Sequence, residues 1–233
     1  MRERLIWVAA LVLCLIGITA AVNRALHVAD AGARVQATGV FDALGVRVSP
    51  ADSARMALTD HRFAQRPSLT RLHVVAGGLF LLLAPLQFWR RLRNSHRRVH
   101  RWSGRLLLVL LIISVLASVP FGILAPYAGA PEGVIVTVVA LLTIGGAGRA
   151  YWAIRTQRVG LHREWMLRVF ALGVGIASVR LVDAVLILLI LPFVSSVTIF
   201  VLSLWLGWGL TLAGVEWWIV KTRRIAAPAT SAA

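Results

Sequence analysis

The chain is 233 residues long, 59% hydrophobic and carries a formal net charge of +16, with a mean hydropathy of +0.81. Soluble domains hold about 45–50% apolar residues, so this composition excludes an ordinary water-soluble domain and makes lipid the solvent for most of the chain. It excludes nucleic acid as a partner too, because the arginines sit beside the apolar runs, as orientation signals do.

The first apolar run, residues 5–22, follows Arg2 and Arg4. It is longer than the roughly 7–15 residues of a cleaved signal core, so it is read as an uncleaved first membrane helix. The single cysteine, Cys14, lies inside it and is assigned to packing; one cysteine makes neither an intrachain disulfide nor a Cys-based metal site. Residues 23–67 form the one sizeable polar region, with Asp30, Asp42, Asp52 and Asp60 among scattered arginines. Short surface helices packed on the membrane domain are expected here, one of them starting at Pro50. Ser68 is expected to cap the next helix.

A membrane core follows over residues 68–224. Its second run covers residues 72–89 and contains Gly77-Gly78, a small pair that lets a neighbouring helix come close. The third, residues 106–125, is stopped by Pro126 and kinked at Pro120. A short turn leads to the fourth, residues 134–154, with Gly145, Gly146 and Gly148 on its surface. The fifth, residues 166–191, stops at Pro192. The sixth, residues 197–220, ends in Lys221, Arg223 and Arg224. The Ala-rich tail, residues 225–233, is expected to be disordered. The fold class is therefore all-α: a polytopic bundle of six transmembrane helices.

An even count puts both termini on one side. With Met1 inside, segments 1–4, 90–105, 155–168 and the tail from Lys221 hold sixteen Arg and Lys, whereas the outer segment 23–67 holds six beside its four Asp. The bias has one sense at every loop, so both termini are expected in the cytoplasm of a bacterial cell, the protein being multi-pass in the inner membrane. Trp89, Trp102, Trp165, Trp217 and Trp218 then form an inner aromatic belt. The basic loops are expected to meet anionic headgroups of the bilayer.

Two stretches hold most of the candidate chemistry. One runs from Trp89 to Arg105 and contains His100-Arg101-Trp102; the other is His162-Arg163-Glu164-Trp165-Met166-Leu167-Arg168. Each opens an apolar helix, and each helix begins a hairpin, so a duplicated hairpin is one reading. Two imidazoles at one depth on neighbouring helices suit the axial ligation of a haem iron. His100 and His162 are thus the candidate iron ligands, with Arg101, Arg105, Arg163 and Arg168 as candidate partners of the propionates. The same arginines suit a lipid phosphate, or serve as interfacial anchors. Glu164 is expected to pair with Arg168 at i,i+4, and Glu216 to neutralise Arg149, Arg105 or Arg168.

A third group lies deeper. Arg180 and Asp183 share a face of the fifth helix at i,i+3, and Arg180 is about 22 Å from the level of Trp165 at 1.5 Å per residue. Ions in the hydrocarbon layer default to a functional reading. With His73 at similar depth they form a candidate polar pocket; a helix-locking ion pair is the alternative. Phosphate loops, dinucleotide fingerprints, His-Glu-x-x-His and Gly-x-Ser-x-Gly are all absent from the sequence, so hydrolase and nucleotide readings have no motif and no catalytic set emerges.

His73, the run ending in Pro85-Leu86-Gln87-Phe88, the stretch Val99-His100-Arg101-Trp102-Ser103-Gly104-Arg105, the second His-Arg stretch, Arg180, Trp205, Trp208 and Glu216 together resemble the predicted membrane proteins grouped as domain of unknown function 2306 (DUF2306). The resemblance covers about residues 71–218. It implies a multi-helix bacterial membrane protein, carries no activity, and adds weight to Gln87, Gly104 and Met166 beside the residues above. Three functions are weighed: electron transfer through haem b, with a quinone or a membrane protein as partner; a non-enzymatic assembly factor, lipid-binding scaffold or complex subunit; and a small transporter using His73, Arg180 and Asp183.

Overall fold

The computed structural model describes residues 2–27, 50–124, 126–191 and 193–226. These form eight helices: α1 (Arg2–Leu26), α2 (Pro50–Ala64), α3 (Pro67–Gln87), α4 (Arg90–Ser95), α5 (Arg97–Gly122), α6 (Ala130–Arg155), α7 (Val159–Ile190) and α8 (Ser196–Ala226). There is no strand among the described residues. Six helices, all but α2 and α4, are long and apolar enough to cross a membrane. Helices suit that solvent because every backbone N–H and C=O within the span is bonded inside its own segment. Ile225 and Ala226, the first residues of the tail expected to be disordered, are instead the end of α8; residues 227–233, any helix within residues 28–49 and Pro192 lie outside the described residues.

The helices extend beyond the apolar runs, so the His-Arg stretches are helical first turns and not the loops before them. α2 starts at Pro50 as expected. α3 starts at Pro67, preceded by Arg66, which makes no side-chain capping bond; the expected cap at Ser68 is not formed, because that residue already lies within the first turn. Proline at this position needs no capping partner, since its missing N–H would have been an orphan donor. α5 ends at Gly122, with Pro120 in its last turn. The α6–α7 turn is closed by Gln157 N–H to Ile154 O at 3.2 Å and Arg158 N–H to Ala153 O at 2.8 Å. Gln157 sits at φ 61 there, the left-handed position of a two-bond helix stop.

α7 is the central helix. It packs on α8, α6, α1 and α3, and the unbroken buried series Val169, Phe170, Ala171 and Leu172 shows that it is covered on every side. α3 packs between α1 and α5. α5 and α6 are joined by a short turn yet touch only lightly, so the two expected hairpins are unlike: α7–α8 is closely packed and α5–α6 is not. The main core joins Cys14, Phe80, Leu81, Leu107, Ala147, Phe170 and Val174 from five helices. Small residues set the spacing. Gly77 faces Ser114 of α5, Gly78 faces Ala21 of α1, and Gly146 faces Trp165 and Val169, whereas Gly145 and Gly148 face open space.

The bundle has two unlike ends. The basic end carries the starts of α5 and α7 and the finishes of α3, α6 and α8. At the opposite end α2 lies across α3 and α8. Arg62 donates to Phe121 O, Arg66 donates to Pro120 O at 2.8 Å, and Phe63 meets the Phe121 ring edge-on at 4.9 Å. The last carbonyls of α5 have no partner within their own helix and form its negative pole, so the two arginines serve as a borrowed cap. Burial lowers the pKa of Arg62, and Glu132, 3.8 Å away, opposes that shift. Hydrogen bonds to charged groups contribute about 1.5–3 kcal/mol each. The double change Arg62→Ala, Arg66→Ala is therefore expected to speed amide exchange in α2 at least about tenfold while α3 stays protected. Unchanged exchange in α2 would show that the cap does not hold it.

Candidate functional site

The two His-Arg stretches occupy matching positions. His100 is the fourth residue of α5 and His162 the fourth of α7, so both imidazoles sit at the basic end, within electrostatic reach of each other. In each stretch a later arginine stacks on the tryptophan three residues before it: Arg105 over Trp102 and Arg168 over Trp165, each 5.0 Å from the ring centre.

The surroundings of the two histidines differ. His162 Nδ1 lies 2.9 Å from Ala150 O. A carbonyl only accepts, so Nδ1 carries a proton, and in the neutral ring Nε2 is then the nitrogen with the free lone pair. The approach is possible because α6 presents Ala150 and Ala153, both fully buried, at this level. His100 Nδ1 is buried and has no hydrogen-bond partner among the described residues. Its helix is tied to α3 by Gln87 Nε2 donating to Ser103 Oγ at 2.6 Å, and the Ser103 hydroxyl donates back to Val99 O. Gly104 lies against the Gln87 side chain, 3.4 Å from where a Cβ would stand.

The four candidate propionate arginines separate into two pairs. Arg168 is committed to Glu216 through two bonds of 2.5 and 2.9 Å, and Glu164 lies 3.9 Å away on its own helix. Glu164 is held more closely by Arg223 of α8, through both carboxylate oxygens. Arg163 is 3.4 Å from Thr222 Oγ1. So the second stretch is a clasp between α7 and α8. The first stretch has no acid: Arg101 and Arg105 are exposed, and no carboxylate among the described residues pairs with them. What this end offers a haem is thus two imidazoles and two available arginines in place of four. Among the described residues no group of three or more His, Cys, Asp or Glu is placed to hold a bare metal ion; a haem asks the protein for only two ligands.

The deeper group lies towards the opposite end. His73 Nδ1 is 2.8 Å from Ser114 O, and Ser114 Oγ donates to His73 O at 3.0 Å. Arg180 is within electrostatic reach of His73, and Asp183 accepts a bond from Ser203 Oγ of α8 at 3.2 Å. All three predicted pocket residues therefore lie in this half of the bundle. A groove of about 410 Å³ between Ile123 and Val138 lies at this end too, but its lining includes none of the candidate residues.

Two partnerships had no sequence-level prediction, Glu164 with Arg223 and the Arg62–Arg66 cap on α5. A signal for the first was present: the long helices from residue 67 onward contain only Glu132, Glu164, Asp183 and Glu216 as acids, so each is a strong candidate for a cation from another helix. No curated protein and no solved structure matches the chain. The family model described as predicted membrane protein (DUF2306) matches residues 70–219, which span both His-Arg stretches, the Arg180 group and the Glu216 clasp; the chain belongs to that family.

Proposed function

We propose that the protein is a membrane-embedded electron carrier that holds haem b at its basic end, with His100 and His162 as axial ligands and Arg101 and Arg105 beside the propionates. The observation that carries this reading is the matched pair of imidazoles. One is fixed by a backbone carbonyl through Nδ1, as metal-bound histidines commonly are; the other has a buried ring nitrogen without a partner among the described residues. A buried orphan of that kind costs about 1–3 kcal/mol, and a bond from the iron to that nitrogen would offset it. Haem would supply one-electron redox chemistry. This chain would supply the ligands, the tautomer of His162 and the arginines, while Arg168 keeps its structural partner Glu216.

The basic end faces the cytoplasm in this reading, and the membrane is the bacterial inner membrane. Five cation–tryptophan pairs at this end, on Trp102, Trp152 (two), Trp165 and Trp217, suit a leaflet rich in anionic headgroups. The same pairs favour a second reading, a lipid-binding scaffold without a cofactor. A visible spectrum of the detergent-purified protein, produced with ample haem, separates the two. The first reading predicts a Soret band that the double change His100→Ala, His162→Ala removes from a protein that stays monodisperse and helical. A colourless wild-type protein that retains phosphatidylglycerol contradicts it and supports the second.

A further inference from the structure

We propose that the turn between α6 and α7, with the flank of α6 below it, is a site for one anionic phospholipid of the surrounding leaflet. Arg149 and Arg158, which share the Trp152 ring, receive its phosphate. An acyl chain lies along the bare backbone at Gly148 and Gly145. The site is separate from the two histidines and depends on neither reading of them.

The cations are the first support. Arg149 Cζ lies 4.3 Å from the centre of the Trp152 ring, and Arg158 Cζ lies 4.9 Å from it. Among the described residues no other ring carries two cations. Each contact is attractive by itself, but the two positive charges repel each other. No carboxylate among the described residues pairs with either of them; Glu164 and Glu216 are committed to Arg223 and Arg168. Neither guanidinium has a hydrogen-bonding partner among the described residues. An anion between them removes the repulsion and accepts their N–H groups, and phosphate oxygens suit arginine best.

The level and the face are the second. Trp152 is in the last turn of α6, and Arg158 immediately precedes α7. This is headgroup level, where tryptophan collects. From Trp152 the same face of α6 continues through Gly148, Gly145, Leu141 and Val138, at spacings of three and four residues. Trp152, Leu141 and Val138 are exposed. Nothing lies within 4 Å of where a Cβ would stand at Gly145 or Gly148. Between the indole and Leu141 this face is therefore bare backbone with no neighbour over the two glycines. Trp152 to Leu141 is about 16 Å at 1.5 Å per residue, and the hydrocarbon of one leaflet is about 15 Å deep.

Charge and face together select the occupant. A soluble anion gains nothing from the bare face. A zwitterionic lipid brings its own cation to the same two arginines. A second copy of the chain has the same orientation in the membrane, so a two-fold pairing of α6 on α6 sets Arg149 against Arg149. A phosphodiester with a net negative charge and an acyl chain beside it satisfies both parts of the site, and each arginine adds to the attraction.

The test uses the full chain, stripped of lipid in detergent and titrated with phosphatidylglycerol or phosphatidylcholine, with bound lipid counted by native mass spectrometry. The first phosphatidylglycerol is expected to bind at least about tenfold more tightly than phosphatidylcholine. The double change Arg149→Gln, Arg158→Gln is expected to remove that preference, whereas the charge-matched control Arg97→Gln, Arg98→Gln retains it. Gly148→Leu meets open space and leaves both arginines in place; it is expected to weaken the first binding at least about fivefold, the low end of an overpacking cost. The count reads lipid alone, so it is decided whether or not the protein holds haem. Equal affinity for the two lipids, a preference that survives without Arg149 and Arg158, an equal loss in the control, or unchanged binding in Gly148→Leu would overturn the proposal. So would displacement of the lipid by inorganic phosphate, or a dimer mass that Gly148→Leu abolishes.

Discussion

Alanine in place of Gly207 is expected to push α7 and α8 apart and to lower resistance to unfolding by about 1–3 kcal/mol, the usual cost of overpacking. A Cβ at this position would stand 2.5 Å from both the N and the Cα of Val179. Those are backbone atoms, so no side-chain rotation makes room. The seam around it is tight: Ser203 is fully buried, Leu204 and Val179 nearly so, and Trp208 Nε1 donates to Leu172 O at 3.0 Å. Lipid tails are as apolar as the side chains, so helix association here rests on contact and hydrogen bonding. Gly209→Ala is the control. Nothing lies within 4 Å of a Cβ at that position, and its effect is expected to stay within about 0.5 kcal/mol. Unfolding in mixed detergent measures both; equal stabilities would show that the seam is not close-packed.

Arg168→Ala is expected to be the most damaging change at the basic end. It removes the two bonds to Glu216 and the nearby charge for Glu164, whose side chain is 11% exposed. Breaking a buried pair by deleting one partner costs about 3–5 kcal/mol. Here about 2–3 kcal/mol is the expected figure, because the Glu216 side chain is 47% exposed and water takes part of the load. Adding Glu216→Ala is expected to restore part of the loss, since the stranded carboxylate disappears with its partner; a double-mutant cycle measures that coupling. Strict additivity would mean that the pair does not join α7 to α8.

Much of this architecture was legible in the residues. Six apolar runs marked six spanning helices, and Pro50 marked the start of α2. The runs understated the helices, because only the lipid-facing part of a helix must be apolar. α7 begins at Val159 and not near Met166, since His162, Arg163 and Arg168 remain helical where the chain meets polar surroundings. Pairings across the bundle were less legible. Gly77-Gly78 announced close approach but not which helices approached. Glu216 had three candidate cations, and geometry selected Arg168. Glu164 pointed by spacing to Arg168, yet its closer partner is Arg223, 59 residues away, a distance at which helical periodicity carries no information. The likeness of the two His-Arg stretches suggested a repeated hairpin. Their positions within α5 and α7 match, but α5 found its partner in α3, where Gly77 admits Ser114.

At the candidate site, the residue types and their common end of the bundle could be anticipated, but the division of labour among the arginines could not. Arg101 and Arg105 differ from Arg163 and Arg168 through Glu164 on α7 itself and through what α8 brings opposite them. The most direct test of the central claim is low-temperature electron paramagnetic resonance of the oxidised protein made with ample haem. Two imidazole nitrogens on one ferric iron predict a low-spin signal that disappears in either His100→Ala or His162→Ala. A wild-type signal that is high-spin, or that survives both changes, contradicts the shared ligation of one iron by α5 and α7.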